Sequence, residues 1–380
     1  MPHGGWVLSL ENFTKLELHE GYATVGSGLL LRDLKAPRQF YAPDPTETWA
    51  ALGGTIATNA SGSRSFLYGP TRHHMRALKV ATMDGAIRTY HRGDKVDFPI
   101  PDIPIPNTTK HTAGYYLRPN LDWVDLFTGS EGTLGIILEA EVTLLPTPLD
   151  LLTAVIFFAS DEAALDAVDQ WRQIPGLRML EYMDANSLAL LDNPNRAALL
   201  IEQIGDEPHD LLEQADALWN DSWFANNAAD RERFRVFRHS LPERVNDTVR
   251  RNGSLKMGTD FAVPIGRNRD MLSIYREQCD KYFPNQYVIF GHIGDAHLHV
   301  NLLPTTIDEQ SRAKQLILDL ARSAVSLGGT VSAEHGVGKR KANLIDLQFT
   351  QDQIDSMKEV KRHLDPEWRL GVGTLFPHQP

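Results

Sequence analysis

The run Gly53-Gly-Thr-Ile-Ala-Thr-Asn-Ala-Ser-Gly62 constrains the fold of this chain more than any other stretch. Its ten residues carry one large apolar side chain, Ile56, so the segment cannot build a core of its own. What it offers is backbone. Small residues let a main chain approach a ligand closely, and consecutive amides can form a concave anion site. Asn59 and Ser61 add side-chain hydrogen-bonding groups. An ordinary tight loop has the same composition. A second run, Gly129-Ser-Glu-Gly-Thr-Leu-Gly135, sets three glycines around the lone Glu131 and enters an apolar stretch at Ile136. Neither run is the GxGxxG fingerprint of a nicotinamide-binding unit, and neither is a GxxxxGK[ST] phosphate loop.

The 380 residues correspond to two or three domains, and 42% hydrophobic with 23% charged residues is a globular balance. A net charge of -11 argues against nucleic acid and anionic membrane as main partners. The single cysteine, Cys279, excludes an internal disulfide framework and reads as an inert helix residue in the cytosol or another reducing compartment. No stretch supplies the roughly 20 apolar residues of a membrane span. The N-terminal stretch lacks a basic region and is too short for a signal peptide, so Trp6–Leu10 is expected as a strand.

Further strands are expected at Tyr22–Gly26, Leu78–Met83, Ile87–Tyr90 and Gly135–Leu145, with Asp84-Gly85 as a two-residue type I′ hairpin turn. Prolines exclude helix from 99–106. Leu145-Pro-Thr-Pro148 reads as a linker. Beyond it, strands at Leu151–Ala159 and Arg196–Gln203 alternate with helices. Those are Glu162–Gln173 with Ser160 or Asp161 as cap, Asp210–Trp219 and Asn268–Tyr282. The class is α+β or α/β.

A second constellation carries chemistry. Gly291-His-Ile-Gly-Asp-Ala-His-Leu-His-Val-Asn301 reads as strand, turn, strand. Alternation puts Leu298, Val300 and Leu302 on one face and His297, His299 and Asn301 on the other, with His292 able to meet His299 across the hairpin. Ser332-Ala-Glu-His-Gly-Val-Gly338 places Glu334 and His335 in a glycine-flanked loop. Imidazoles with a carboxylate suit Zn²⁺, Mn²⁺ or Fe²⁺. Chance clustering among 14 histidines is the alternative, and Asp295 reads as a turn former.

Residues 43–72 and 125–148, in this order, resemble the two flavin-contacting stretches of the FAD-linked 2-hydroxyacid dehydrogenases. These belong to the vanillyl-alcohol-oxidase-like flavoproteins, and the His/Glu motifs resemble that family's HxGDGNLHxN and its companion around Glu-His. The resemblance implies an α+β fold in two domains. An FAD-binding domain would span 1–146, a cap or substrate domain 147–335, and a segment at 336–380 would pack back on the first. It implies FAD contacts at Gly53, Gly54, Ala57, Thr58, Asn59, Gly62, Glu131, Gly132, Gly135 and Ile136. It implies a divalent metal, Zn or Mn/Fe, on His292, His299 and Glu334, with His335 as the base. Asn301, Arg238 and Lys256 would meet the substrate. The implied reaction oxidises a 2-hydroxy acid of the D-lactate, glycolate or D-2-hydroxyglutarate type to a 2-oxo acid. The hydride goes to flavin N5, and an unidentified electron acceptor takes the electrons, which would put a cytoplasmic protein at the periphery of a membrane electron-acceptor chain.

This sequence departs from the family at four places, one of them a gap between Arg32-Asp-Leu34 and Phe40-Tyr41, where relatives have a longer helix. Relatives carry a phosphate-binding PRGxGTGxxGG loop ahead of the position where this chain begins, so a partner subunit or a longer start is expected to supply it. Ala296-His297 stands where relatives have Gly-Asn, and Gly371-Val372 where they have Asn-Pro. Besides the active flavoenzyme, a non-catalytic metal- or metabolite-binding complex subunit and a metal-dependent hydrolase remain as readings. The paired glycine runs speak against the hydrolase.

Overall fold

The computed structural model describes residues 5–205 and 208–376. Strands β1 (Leu16–His19), β2 (Tyr22–Gly26), β3 (Gln39–Phe40), β4 (Met75–Ala81), β5 (Ile87–His91), β6 (Ile136–Thr143) and β7 (Leu145–Pro146) occupy the first part of the chain. Five of them form an antiparallel sheet in the order β1-β2-β6-β4-β5. Its inner face is set by alternation: Leu78 and Val80 of β4 and Ala140 and Val142 of β6 are buried against Val124 and Phe127.

Three local expectations change here. Trp6–Leu10 forms no strand, and Trp6, Val7 and Leu8 are exposed. Apolar character gave that segment no partner, because β1 takes the edge of the sheet instead. The hairpin after β4 is a three-residue loop, not a type I′ turn. Only Gly85 has positive φ (82°), and Gly85 N donates to Thr82 O at 3.0 Å, a turn closed by a left-handed glycine. Leu145-Pro146 is a paired segment: Leu145 faces Phe40, and Thr147 N donates to Arg38 O at 3.0 Å.

The remaining strands are β8 (Leu151–Phe158), β9 (Leu177–Asp184), β10 (Ala197–Ile204), β11 (Trp223–Phe224), β12 (Met257–Gly258), β13 (Phe261–Ala262), β14 (Tyr287–His292) and β15 (His297–Leu302). They form a second antiparallel sheet, β11-β8-β10-β9-β14-β15-β12, with β13 also on β15. Antiparallel pairing decides the α+β class. Helices Asp161–Trp171, Asn268–Tyr282 and Ile307–Ser326 cover one face, through Trp171, Tyr275 and Leu320. Helices Ala185–Leu190 and Ala228–Arg251 cover the other, through Leu188, Phe234 and Val245. Ser160 caps the first helix, its Oγ accepting from Ala163 N at 3.1 Å. The helix at Asp210 ends at Glu213, well short of Trp219. Leu218 N donates instead to Phe157 O of β8 at 2.8 Å, and a tertiary hydrogen bond takes the amide a longer helix would use.

Among the described residues, no helix is long and apolar enough to cross a membrane.

Candidate active site

The first glycine run is not a loop from end to end. Leu52–Ala57 is a short helix, held at its start by Leu52 N to Leu29 O and Gly53 N to Ser27 O, both 2.8 Å. The amides that follow are spent inside the segment: Thr58 N on Gly54 O at 3.1 Å, Asn59 N on Ile56 O at 3.0 Å, Ala60 N on Thr55 O at 2.8 Å. The expected concave row of free amides is therefore absent from Thr58 to Ala60, because helix closure claims them.

The glycines divide by what surrounds them. A Cβ at Gly53 would lie 2.6 Å from Ser27 Cβ, at Gly62 1.9 Å from Asp44 O, and at Gly135 2.7 Å from Val80 Cγ1. These three let protein segments pack on each other. A Cβ at Gly54 or Gly132 would meet nothing within 4 Å. Beside these two, Ala57, Thr58 and Ile136 are partly exposed. Gly129 N donates to Ile56 O at 2.9 Å and Glu131 N to Ala57 O at 2.7 Å, so the two runs form one surface. Asn59, at φ +47°, turns inward, and its Oδ1 accepts from Arg72 N at 2.9 Å. The Glu131 carboxylate accepts from Val337 N at 2.8 Å and Gly338 N at 2.7 Å. Its side chain thus anchors the loop that carries His335. Burial raises its pKa, and those two amides work against the rise.

The hairpin folds as strand parity requires. His292 pairs with His297 and Phe290 with His299 in the β14–β15 register. Leu298, Val300 and Leu302 enter the core, while His297, His299 and Asn301 face the other way. Gly291, at φ +131°, keeps a Cβ from lying 3.0 Å from the His299 ring. Each of His292, His297, His299 and Glu334 offers a ligand atom within 4.8 Å of the others. His297 thus joins the two imidazoles expected to meet.

Buried charges surround this cluster. Glu334 accepts at Oε1 from Ser61 Oγ at 3.0 Å and from Lys110 Nζ at 2.7 Å, and His292 Nε2 lies 3.2 Å from Oε2. Lys110 also pairs with Asp295 at 3.0 Å and donates to Gly62 O at 3.1 Å. His292 Nδ1 sits 2.5 Å from Glu181 Oε1, and Arg238 holds the other oxygen through Nε at 2.9 Å and Nη2 at 2.8 Å. Burial works against ionising Glu334, yet His292 and Lys110 hold its carboxyl well below the usual range. Burial would likewise depress His292, but Glu181 and Glu334 outweigh it and raise the imidazole to about 9. Burial, with His297 and His335 beside it, keeps His299 well below an ordinary histidine.

Asp260 organises the Glu-His loop. Its oxygens accept from Ser332 Oγ at 2.8 Å, Glu334 N at 3.2 Å and His335 N at 3.0 Å. The His335 side chain is 60% exposed, with Nδ1 3.5 Å from Asp260 and its ring stacked on His299 at 5.4 Å. Asn301 is buried beside Gly258, where a Cβ would come within 2.9 Å of Asn301 Oδ1. Lys256 is exposed two residues before Gly258. Arg238 spends two of its nitrogens on Glu181, a use the sequence did not suggest.

The residues missed from sequence are Glu181, Asp260, Lys110 and Ser61 as partners of this cluster. Glu181 had a signal, an acid set between Leu180 and Tyr182 in the strand LRMLEYMD. Lys110 and Ser61 had none, because their partner lies more than 200 residues away.

Two families match the sequence: "FAD linked oxidases, C-terminal domain" over residues 147–375, and "FAD binding domain" over residues 1–90. The chain belongs to the FAD-linked oxidase family. Its relatives include the glycolate oxidase subunit GlcD of Bacillus subtilis, 31% identical over 98% of this chain and 80% of that protein. A D-lactate dehydrogenase of Anaerostipes hadrus is 28% identical over 98% and 80%. A D-2-hydroxyglutarate dehydrogenase of Stutzerimonas stutzeri is 26% identical over 86% and 69%. The fold of this FAD-linked oxidase is the vanillyl-alcohol-oxidase-like one. A solved alkyldihydroxyacetonephosphate synthase shares it, with TM-score 0.66 at 16% identity, over 95% of this chain and 66% of that one.

Proposed function

We propose that this protein oxidises a small 2-hydroxy acid to the 2-oxo acid, using FAD and a divalent metal. The observation that carries the reading is the direct tie between the two halves of the site: Ser61, in the glycine run, hydrogen-bonds Glu334, in the histidine cluster.

The residues suit both groups. Gly54 and Gly132 leave open space on a surface made of backbone and small side chains, which suits a flat ring system. Ala57, Thr58 and Ile136 border it, and the other expected contacts, Gly53, Asn59, Gly62, Glu131 and Gly135, shape it from behind. His292, His299 and Glu334 are the donor set for the metal, and the buried, unbonded Nδ1 of His297 supports a cation there. FAD, when bound, supplies the two-electron acceptor for the hydride leaving the substrate Cα. A divalent metal, when bound, supplies a Lewis acid that acidifies the substrate hydroxyl.

The protein's own residues supply the rest. His335 is exposed, so a substrate can reach it, and Asp260 positions it. It accepts the hydroxyl proton as the Cα–H bond breaks. Arg238 remains free at Nη1 among the described residues and offers it to the substrate carboxylate, with Lys256 nearer the surface. Asn301 adds a hydrogen-bonding group on the same sheet face as His299. Substrate and protein are held in register, and the electrons then pass to an acceptor still unidentified.

The test is turnover of the FAD- and metal-loaded protein with D-lactate, glycolate and D-2-hydroxyglutarate and an artificial electron acceptor. One of the three is expected to yield its 2-oxo acid in step with acceptor reduction. Failure of all three, in protein shown to contain flavin, contradicts the proposal.

A further inference from the structure

Three imidazoles, not two, converge on Glu334, and each has a protein acceptor on one side of its ring. Glu181 Oε1 stands 2.5 Å from His292 Nδ1, and Thr259 O stands 3.0 Å from His299 Nδ1. Asp260 Oδ1 stands 3.3 Å from His297 Nε2. Nε2 of His292 and Nε2 of His299 then lie 3.2 and 3.8 Å from the Glu334 carboxylate, and Nδ1 of His297 has no hydrogen-bond partner. A metal-ligating histidine is oriented in this way, with its second nitrogen turned to a carboxylate or a carbonyl.

His297 is fully buried, and its Nδ1 makes no hydrogen bond. A buried polar group left without a partner costs free energy, and such a group needs an explanation. The turn before it adds to that cost: Ala296 sits at φ +51°, a left-handed conformation that an L side chain rarely adopts. The rest of the hairpin motif resembles the family pattern, whereas Ala296-His297 replaces its Gly-Asn. A strained turn that delivers an imidazole with an unbonded Nδ1 to a cluster of metal-type donors points to a ligand.

We infer that His297 is a fourth protein ligand of the metal, completing a three-histidine, one-glutamate set with His292, His299 and Glu334. This rests on the metal reading proposed above and goes beyond its three-donor form. Four nitrogen and oxygen donors match the coordination number of Zn²⁺, whereas Mn²⁺ prefers six oxygen-rich positions. A Zn²⁺ held there would expand to five-coordination to take the substrate hydroxyl.

The test uses the full chain loaded with Co²⁺, a spectroscopic substitute for Zn²⁺, in wild type, His297→Asn and His297→Gln. Wild type is expected to bind one Co²⁺ with the intense visible bands of a four-coordinate ion. His297→Asn should give paler bands and, in chelator competition, at least about tenfold weaker Zn²⁺ binding. Circular dichroism of the metal-free variants separates loss of a ligand from loss of fold, with His297→Gln taking the place of any variant that does not fold. Equal affinity and equal spectra in wild type and a folded variant overturn the fourth ligand and leave the three-donor site standing. A wild type that binds no ion overturns both.

Discussion

Ser61 Oγ donates a 3.0 Å hydrogen bond to Glu334 Oε1, joining residues 273 positions apart. One end lies in the glycine run and the other in the histidine cluster. Two surfaces that would otherwise serve separate ligands are thereby held in one site.

Ser61→Ala removes that bond and leaves Lys110 and His292 to hold the same oxygen. A stability loss of about 1 kcal/mol is expected in urea titration. Flavin reduction should slow, because a freed carboxylate no longer holds the metal donors in register. An unchanged rate in Ser61→Ala would show that the contact does not align the two halves.

Lys110→Met tests the buried charge balance. It leaves Glu334 and Asp295 without their internal cation, and breaking one side of a buried pair typically costs about 3–5 kcal/mol. Equilibrium unfolding should show a loss of that order. A loss within experimental error would mean that the two carboxylates take up protons or solvent at little cost.

Gly54→Ala and Gly62→Ala separate the two uses of glycine. The added methyl at Gly62 meets Asp44 O at 1.9 Å, so the variant should be destabilised or fail to accumulate. At Gly54 it meets nothing, and in a helix alanine gains up to about 1 kcal/mol over glycine. Gly54→Ala should fold normally and bind FAD more weakly, measured by fluorescence titration. Wild-type FAD affinity in that variant would place the flavin elsewhere.

How much was legible follows from the range of the interactions. The face that carries His297, His299 and Asn301 could be read directly, since side-chain alternation is a property of one strand. Helix Asn268–Tyr282 was also clear from local periodicity. The helix over Leu52–Ala57 was not, because Gly53 and Gly54 lower its propensity and backbone bonds to Leu29 and Ser27 restore it. Glu181, Lys110 and Ser61 meet the cluster only after separate segments have packed. Arg238 could be placed near the substrate, but its pairing with Glu181 depends on where helix Ala228–Arg251 crosses β9.

A buried triad of one acid and two arginines gives a pH prediction. Glu202 of β10 pairs with Arg178 at 2.8 Å and with Arg64 at 2.9 Å, which ties the two sheets' segments together. Burial opposes its ionisation, but Arg64 and Arg178 lower its pKa overall. A carboxylate lowered on folding stabilises fully above its unfolded value, about 4.3, and that contribution is lost as pH falls through the folded value. Unfolding free energy of wild type should drop across that acidic window, and Glu202→Gln should flatten the drop. Parallel pH profiles for the two proteins would contradict the assignment.

The central claim is that His335 takes the hydroxyl proton while a hydride reduces FAD. Anaerobic mixing of the flavin- and metal-loaded protein with its 2-hydroxy acid measures this in a single turnover. Wild type should lose its oxidised flavin band at a rate that rises with substrate, and His335→Asn should hold flavin and metal yet reduce at least about a hundredfold more slowly. Reduction of His335→Asn at the wild-type rate, or no reduction of wild type by any 2-hydroxy acid, would contradict the account.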